Sequence, residues 1–546
     1  MYDWQMKCAI QWNAQQHDEH GVRGLAVEAI TGTGKTFASL ICAKMWFEKH
    51  GILARLIVVV PTEALQKQWY GIIRHTQIAN VARRGGGHQY DGFAPIVVVV
   101  QNSLKTLIDH KNFTDKKVLF ILDEAHRAAS KGTLTWLKKF RQQQKMQGAI
   151  AISATMARAD GGNILDITGS IEGKPHVSIG YAQAIEEGII PPFRIHVYEL
   201  KTTDLTWEED AELSSLNKQI AIAWSEWKKD VNFNHNIFAR YNENIESVEK
   251  YKNLTRKRKR VINDCEARYT LAHELMLEYA GAGSKVAIFH ETINGVERIS
   301  DAAIEAGLDK PYIYHSGQSP DDWDELTQAQ IKKLKDYERN RKKILAKWVD
   351  PRTEGGVLLT VKALKEGLDV PEMDALVMLS HPNNPTPLLQ ATGRALRGNK
   401  DADGNWVDRH GNYITKENPK NIYIVVQAGT TDANCIPNMK DAGNIPDELF
   451  TTYSRNIQGV WVAQQGQHTT STQAQQDIDD SFDDVIVSAN PVELPMDFDN
   501  EPIEIPMVFD DEPIEIPMDF DTPALEFNAI TGEMQPKMHK EEEVKI

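Results

Sequence analysis

Short apolar runs rich in β-branched residues recur along the chain: Ile57–Val60, Ile96–Val100, Val118–Leu122 and Ala149–Ser153. Apolar continuity without polar alternation marks strands buried on both faces, which is the signature of a parallel sheet covered by helices. Longer helix-compatible stretches separate these runs. The pattern therefore predicts an α/β lobe. A second series repeats it in Lys285–Phe289, Tyr312–Tyr314, Val357–Thr360, Ala375–Leu379 and Ile422–Val426, which predicts a second such lobe.

The boundaries follow from composition. Residues 1–190 form the first lobe and 281–465 the second. Between them, 191–280 begins at Pro191-Pro192 and reads as a linker and mainly helical insertion, with Trp207, Trp224, Trp227 and the basic run Arg256–Arg260. From 466 to 546 the sequence is polar and then repetitive. Ala489–Asp499, Asn500–Asp510 and Asp511–Asp521 are an 11-residue repeat whose prolines and mutually repelling acids predict a disordered acidic tail.

Charge changes the picture once it is divided. The formal net charge is -16, yet Gly466–Ile546 holds 21 acids against 3 lysines, so the remaining body carries a net charge of +2. A near-neutral body is compatible with a local basic groove. Cys8, Cys42, Cys265 and Cys435 are scattered without paired or metal-ligand spacing, and a reducing compartment suits them. No run of about 18 apolar residues and no signal peptide is visible. The expectation is a cytoplasmic protein, in a host cytoplasm if it is phage-encoded, with no membrane partner.

Two segments carry recognisable chemistry. In AVEAITGTGKTFASL an apolar strand leads through Gly32, Thr33 and Gly34 to Lys35, Thr36 and a helix-forming stretch. Glycines let backbone N–H groups curl around a phosphate at a helix N-terminus, Lys35 adds charge toward the β and γ oxygens, and Thr36 reaches Mg²⁺. Ala29 stands where the general pattern has its first glycine. Downstream, Val118–Leu122 ends in Asp123-Glu124-Ala125-His126. Adjacent carboxylates at a buried strand's end are costly unless a cation or substrate meets them. Asp123 suits the Mg²⁺ shell and Glu124 suits activation of water. The cofactors expected are ATP and Mg²⁺.

With GTGKT and DEAH placed, the chain resembles the superfamily 2 helicases through most of residues 1–430, including the group with XPB-type repair helicases, phage branch-migration helicases and restriction-enzyme motors. The resemblance implies two RecA-like lobes, an α/β fold. It implies adenine recognition by Gln5 in Tyr2-Asp3-Trp4-Gln5 and nucleic-acid contacts at Pro61, Thr62, Gln101, Ser103, His290 and Thr360. Coupling of hydrolysis to lobe movement is implied for His126, Ser153 and Thr155. Gly367 and Asp369, in VKALKEGLDVP, are implied to face the cleft at the nucleotide. Gln390-Ala391-Thr392-Gly393-Arg394-Ala395-Leu396-Arg397 matches the element that completes the ATP site, and Gln390, Arg394 and Arg397 at i, i+4 and i+7 fall on one helix face.

QATGRALR departs from the HRIGR form of RNA-specific relatives, and SATMARADG with Arg158 and Asp160 is similar to the DNA-acting group. The implied function is an ATP-dependent motor on DNA, single-stranded or branched, in replication, recombination or repair, with fork or branch remodelling within that range. An RNA helicase is the nearest competing reading. A nucleic-acid-binding regulator with a non-motor ATPase site is the other, and the intact Lys35, Asp123, Glu124, Arg394 and Arg397 count against it. A protein partner for the acidic tail is a further expectation. Asn399-x-Asp401-x-Asp403-Gly404 begins like a calcium loop but has Val407 and His410 at its ninth and twelfth positions, so a polar β-hairpin insertion is predicted over 399–420.

Overall fold

In the computed structural model the described residues are 2–90, 92–107, 110–156, 164–170, 173–230, 246–280, 283–315, 340, 343–350, 352–353, 355–361, 373–380, 385–430, 432–464, 525–527 and 534–536. The first apolar series becomes β1 (Arg23–Ala29), β2 (Ala54–Val60), β3 (Val81–Arg84), β4 (Ile96–Val100), β5 (Lys117–Asp123), β6 (Gly148–Ser153) and β7 (Val177–Ile179). They lie in the order β3-β4-β2-β5-β6-β1-β7, every pair parallel. Helices cover both faces. Trp4, Trp12 and Trp46 pack with Leu25, Leu56 and Ile121 on one side, and Phe140 and Leu137 with Ile57 and Phe120 on the other.

The second sheet contains β8 (Phe193–Leu200), β9 (Lys285–Phe289), β10 (Tyr312–Tyr314), β11 (Gly356–Thr360) and β12 (Ala375–Met378). After a separate hairpin of β13 (Asn399–Lys400) and β14 (Trp406–Val407) come β15 (Lys420–Gln427), β16 (Phe450–Arg455) and β17 (Trp461–Ala463). The order is β10-β11-β9-β12-β15-β8-β16-β17, parallel except for the antiparallel β17. Two α/β lobes are thus present, as the hydrophobic pattern predicts.

One boundary needs correction. Residues 193–200 do not belong to a linker. β8 inserts between β15 and β16, so the second lobe opens at Phe193 and the helices are an insertion between its first two strands. The run FRIHVYEL carries Arg194 and His196 on alternate positions, and Phe193, Ile195 and Val197 are buried while Arg194 is exposed, so it lacks the apolar continuity of the other strands. Of that insertion, helices Trp207–Asp230 and Glu246–Asn263 pack on each other through Leu216, Ile220, Ala223 and Leu254. Helix Glu266–Ala280 instead lays Leu271, Leu275 and Met276 against Val286 and Ile288 of the sheet.

The β13–β14 hairpin matches the expectation for 399–420. Asp401 spends its carboxylate on the turn, accepting from the Asp403 and Asn405 backbone N–H groups at 3.0 and 2.8 Å. The chain divides into the units Met1–Glu501 and Pro502–Ile546. In the second, strands Leu525–Phe527 and Met534–Pro536 pair antiparallel. The rest of the tail, its 11-residue repeat included, lies outside the described residues. Among the described residues no helix is long and apolar enough to cross a membrane.

Candidate nucleotide site and lobe interface

Beyond Ala29 the chain turns through residues 30–34 into helix Lys35–His50. Gly32 and Gly34 sit at φ +92° and +83°, a left-handed backbone that suits residues without Cβ, and Gly34 caps the helix. Lys35 Nζ donates to the Ala29 carbonyl at 2.8 Å. Burial pulls its pKa down, and the charges of Glu124 and Asp123 pull it back up. Thr33 is wholly buried and donates to the Ile30 carbonyl at 2.8 Å, so its side chain braces the loop. Thr36 stands in the first turn, where backbone N–H groups favour anions.

Gln5 is buried against this loop. Its Nε2 lies 3.4 Å from the carbonyls of Thr33 and Gly34, and its Oε1 accepts from the Tyr2 backbone N–H at 3.2 Å. A Cβ on Gly34 would come within 2.6 Å of Gln5 Nε2, so the close approach needs glycine. The N-terminal glutamine and the phosphate loop are therefore one assembly.

Asp123 and Glu124 stand at the C-terminal end of β5, the edge where parallel sheets gather ligands. Asp123 is buried. Its Oδ1 accepts from the Glu124 N–H at 2.9 Å and its Oδ2 from the Trp69 indole at 2.6 Å. Burial first, and the Glu124 charge second, push its pKa up to about 6, with the Trp69 and Lys35 interactions opposing. Glu124 has φ +46°, a conformation costing a non-glycine residue about 1 to 3 kcal/mol, of the kind that clusters at functional sites. Its Oε2 is 3.5 Å from His126 Nδ1. That nitrogen is also 2.9 Å from Ser153 Oγ, which accepts the Thr155 N–H at 3.3 Å. The three residues expected to couple hydrolysis to movement thus form one path of contacts from Glu124, hydrogen-bonded from His126 through Ser153 to the Thr155 backbone.

The second lobe reaches this site through helix Pro385–Ala395. Gln390 Nε2 donates to Glu124 Oε2 at 3.4 Å. Arg394 is buried, which lowers its pKa, while the Glu124 charge opposes. Arg394 and Arg397 both oppose the charge of Lys35, and Lys35 and Arg394 both feel the Glu124 carboxylate. The shared helix face holds only in part. The helix ends at Ala395, and Arg397 lies beyond it, where Lys420 Nζ donates to the Met373 and Ala395 carbonyls at 3.0 and 3.4 Å and to that of Arg397. The same interface holds Thr155 and Thr386 hydroxyls 3.4 Å apart and a Tyr181 hydroxyl bond to the Leu389 carbonyl at 2.9 Å.

The residues expected to touch nucleic acid separate into two groups. Pro61 and Thr62 lie at the turn after β2, partly exposed, and Thr62 caps helix Glu63–Thr76 by accepting the Leu65 N–H at 3.3 Å. Gln101 and Ser103 follow β4. Gln101 Nε2 is shared among the Arg127 carbonyl, Ser130 Oγ and Thr133 Oγ1 at 3.0, 2.9 and 2.6 Å. His290 and Thr360 are interior, and direct strand contact does not fit them. His290 is wholly buried with Nε2 3.0 Å from the Asn263 carbonyl, and Thr360 is buried on β11. Their positions at strand ends misled because Asn263 of the insertion covers His290, while Thr360 is flanked by Phe289 and Tyr314 of the neighbouring strands. Gly367, Asp369, Arg158 and Asp160 lie outside the described residues.

Three features escaped sequence reasoning. Trp69 stands with Gln68 in the segment after β2 whose resemblance implies contact with the nucleic-acid backbone, and its inward bond to Asp123 is what the sequence did not report. Glu28, a lone acid within the buried strand AVEA, accepts the Met156 N–H at 3.0 Å and so fixes the chain after Thr155. After Arg83-Arg84, the loop Gly85–Gly87 adopts positive φ throughout and lies against Glu63 and Ser103, between the two first-lobe segments expected to meet a strand.

Two family models match the chain, and together they span more than half of it. "Type III restriction enzyme, res subunit" covers residues 1–158 and "Helicase conserved C-terminal domain" covers 267–399. An uncharacterised protein of Mycobacterium tuberculosis is 25% identical over 240 residues, 40% of this chain and 38% of that protein. The ATP-dependent RNA helicase eIF4A of Debaryomyces hansenii is 28% identical over 186 residues, 32% of this chain and 46% of that one. These matches span under half the length of either relative. Among solved structures, the ATP-dependent Type ISP restriction-modification enzyme LlaBIII bound to DNA superposes with a TM-score of 0.50 at 14% identity, over 84% of this chain and 32% of that one.

Proposed function

The chain belongs to the superfamily 2 helicases, and from that premise we propose that it is a DNA-dependent ATPase motor whose lobes close on ATP and reopen after hydrolysis. The observation that carries this reading is the Gln390–Glu124 contact at 3.4 Å, with Arg394 buried beside it. It joins the second lobe to the residue that orients the attacking water. Lys35 and the helix N-terminus hold the β and γ phosphates, and Gln5 reads the base. Thr36 and Asp123 would hold Mg²⁺, which when bound neutralises phosphate charge. The site suits that ion, because a buried carboxylate beside a phosphate loop needs a cation and Mg²⁺ is characteristically held by one or two protein oxygens plus phosphates. Arg394 and Arg397 stabilise charge on the γ-phosphate as it leaves. His126, Ser153 and Thr155 carry the change at Glu124 to Thr386 across the interface.

The strand runs over the first lobe's edge at Pro61, Thr62, Ser103 and the Arg83–Gly87 loop, whose positive-φ glycines carry no side chain to bar close approach of a phosphate backbone. The restriction-enzyme model over residues 1–158 and the QATGRALR form support DNA as the substrate, with roles in replication, recombination or repair. The likeness to eIF4A supports the RNA reading. ATP turnover measured with sequence-matched DNA and RNA separates the two. DNA is expected to stimulate turnover and RNA to do so far less; equal or greater stimulation by RNA would sink the DNA assignment.

A further inference from the structure

We infer that Trp69 is a positioning residue that ties the strand path to the Mg²⁺ carboxylate, with helix Glu63–Thr76 as the rigid link between them. This rests on the motor reading above and deepens it. The helix carries two buried polar side chains on one face, three positions apart. Gln66 Nε2 reaches toward the sheet edge and donates to the Arg84 carbonyl of β3 at 2.9 Å and the Val98 carbonyl of β4 at 3.0 Å. Trp69 reaches the other way, past β2, and its indole donates to Asp123 Oδ2 at 2.6 Å.

The start of the same helix meets the proposed strand path. Thr62 caps it, and Glu63 in its first turn lies against Gly86 of the glycine loop. A strand that displaces this loop or the Thr62 turn therefore acts on a helix clamped at Gln66, and the displacement arrives at Asp123 through an indole N–H. The indole is 1% exposed, so water is no ready substitute for the donor. A hydrogen bond to a metal-holding carboxylate fixes which oxygen lone pairs face the ion, and losing such an outer partner characteristically lowers metal affinity about 10- to 100-fold.

The experiment uses the full chain and a fluorescent ATP analogue, titrated with Mg²⁺ to read binding without turnover, alongside ATPase rates with and without nucleic acid. Trp69→Phe keeps an aromatic ring and removes the donor. It is expected to raise the Mg²⁺ concentration for half-maximal nucleotide binding by about 10-fold or more and to shrink the stimulation ratio, with nucleic-acid affinity kept. A folded Trp69→Phe protein with the wild-type Mg²⁺ requirement would overturn the assignment, since a packing role alone predicts lower thermal stability and an unchanged requirement. Gln66→Met gives an independent arm if Trp69→Phe folds poorly. It is expected to lose stimulation while the Mg²⁺ requirement stays put, and retained stimulation would overturn the link. A wild-type chain that no nucleic acid stimulates would instead sink the motor reading, and the Mg²⁺ titration would still decide the role of the indole.

Discussion

Two basic segments of this protein have opposite settings. At the end of helix Pro385–Ala395, Arg394 and Arg397 are drawn into the cleft, where burial lowers their pKa values and Arg394 faces Glu124 of the other lobe. On helix Glu246–Asn263, the run Arg256–Arg260 faces outward at Arg256, Lys257 and Arg260. Its fourth member, Lys259, is held to Glu291 at 2.8 Å, and Arg258 is half-buried near Tyr251. The difference lies in what the charges face. A guanidinium removed from water must be repaid by a carboxylate or a ligand phosphate, so burial concentrates its effect at one point. Exposed bases act through a screened field over a surface.

Replacing both Arg394 and Arg397 by alanine tests the buried half most severely. Arginines that stabilise phosphoryl transfer contribute about 10³- to 10⁵-fold in rate, or about 4 to 7 kcal/mol of barrier. The double variant is expected to bind the fluorescent nucleotide near normally while single-turnover hydrolysis falls by that order. Retained hydrolysis would take both residues out of the chemistry and leave them as interface packing.

Most of the first-lobe site was legible in the sequence because its chemistry is local. Gly32 to Thr36 and Asp123-Glu124 are contiguous, so strand, turn and helix follow from a few neighbouring residues. What joins the lobes was legible only as residue types. Gln390 and Glu124 are far apart in sequence, and their contact depends on how two sheets pack. The same limit explains the misses. Trp69 meets Asp123 of a distant strand and Glu28 meets Met156 in the segment after β6, and nothing adjacent in the chain reports either. β8 escaped because its alternation resembles a half-exposed strand, although it ends between β15 and β16. His290 and Thr360 looked accessible because a strand's end is usually open, and here the insertion meets His290 and neighbouring strands flank Thr360.

A third arginine sharpens the contrast within the buried class. Arg268 of helix Glu266–Ala280 is wholly buried, with Nη2 2.5 Å from Asp432 Oδ2 and Nη1 donating to the carbonyls of Leu379 and Val425. It faces no cleft, so its role is to fasten the insertion to the second sheet. Asp432→Ala strands that charge and also removes an acceptor from the Gln427 N–H, at 2.9 Å in the structure. The expected cost is about 3 to 5 kcal/mol in urea unfolding of the second lobe. Nucleotide binding by the residual folded protein should hold. A loss of hydrolysis with unchanged stability would move Arg268 into the catalytic class and break the division by setting.

The exposed run gives the smallest and most conditional effect. Arg256, Lys257 and Arg260 share a helix whose base is joined to the second lobe, since Lys259 and Asn263 both bond Glu291 and the Asn263 carbonyl meets His290. A strand crossing that lobe would pass a fixed charged face rather than a flexible arm, so these three residues are expected to contact phosphates. Substituting all three by glutamine keeps helix propensity and removes only charge. Each lost contact should flatten the plot of log affinity against log salt by about 0.7 on a single strand or about 0.9 on a duplex, and the size of the change tells which form lies there. Turnover at saturating nucleic acid should not move, because no member of the trio reaches the cleft. An unchanged slope on both forms would make this helix face a solvated surface, and the strand path would then rest on the first-lobe loops alone.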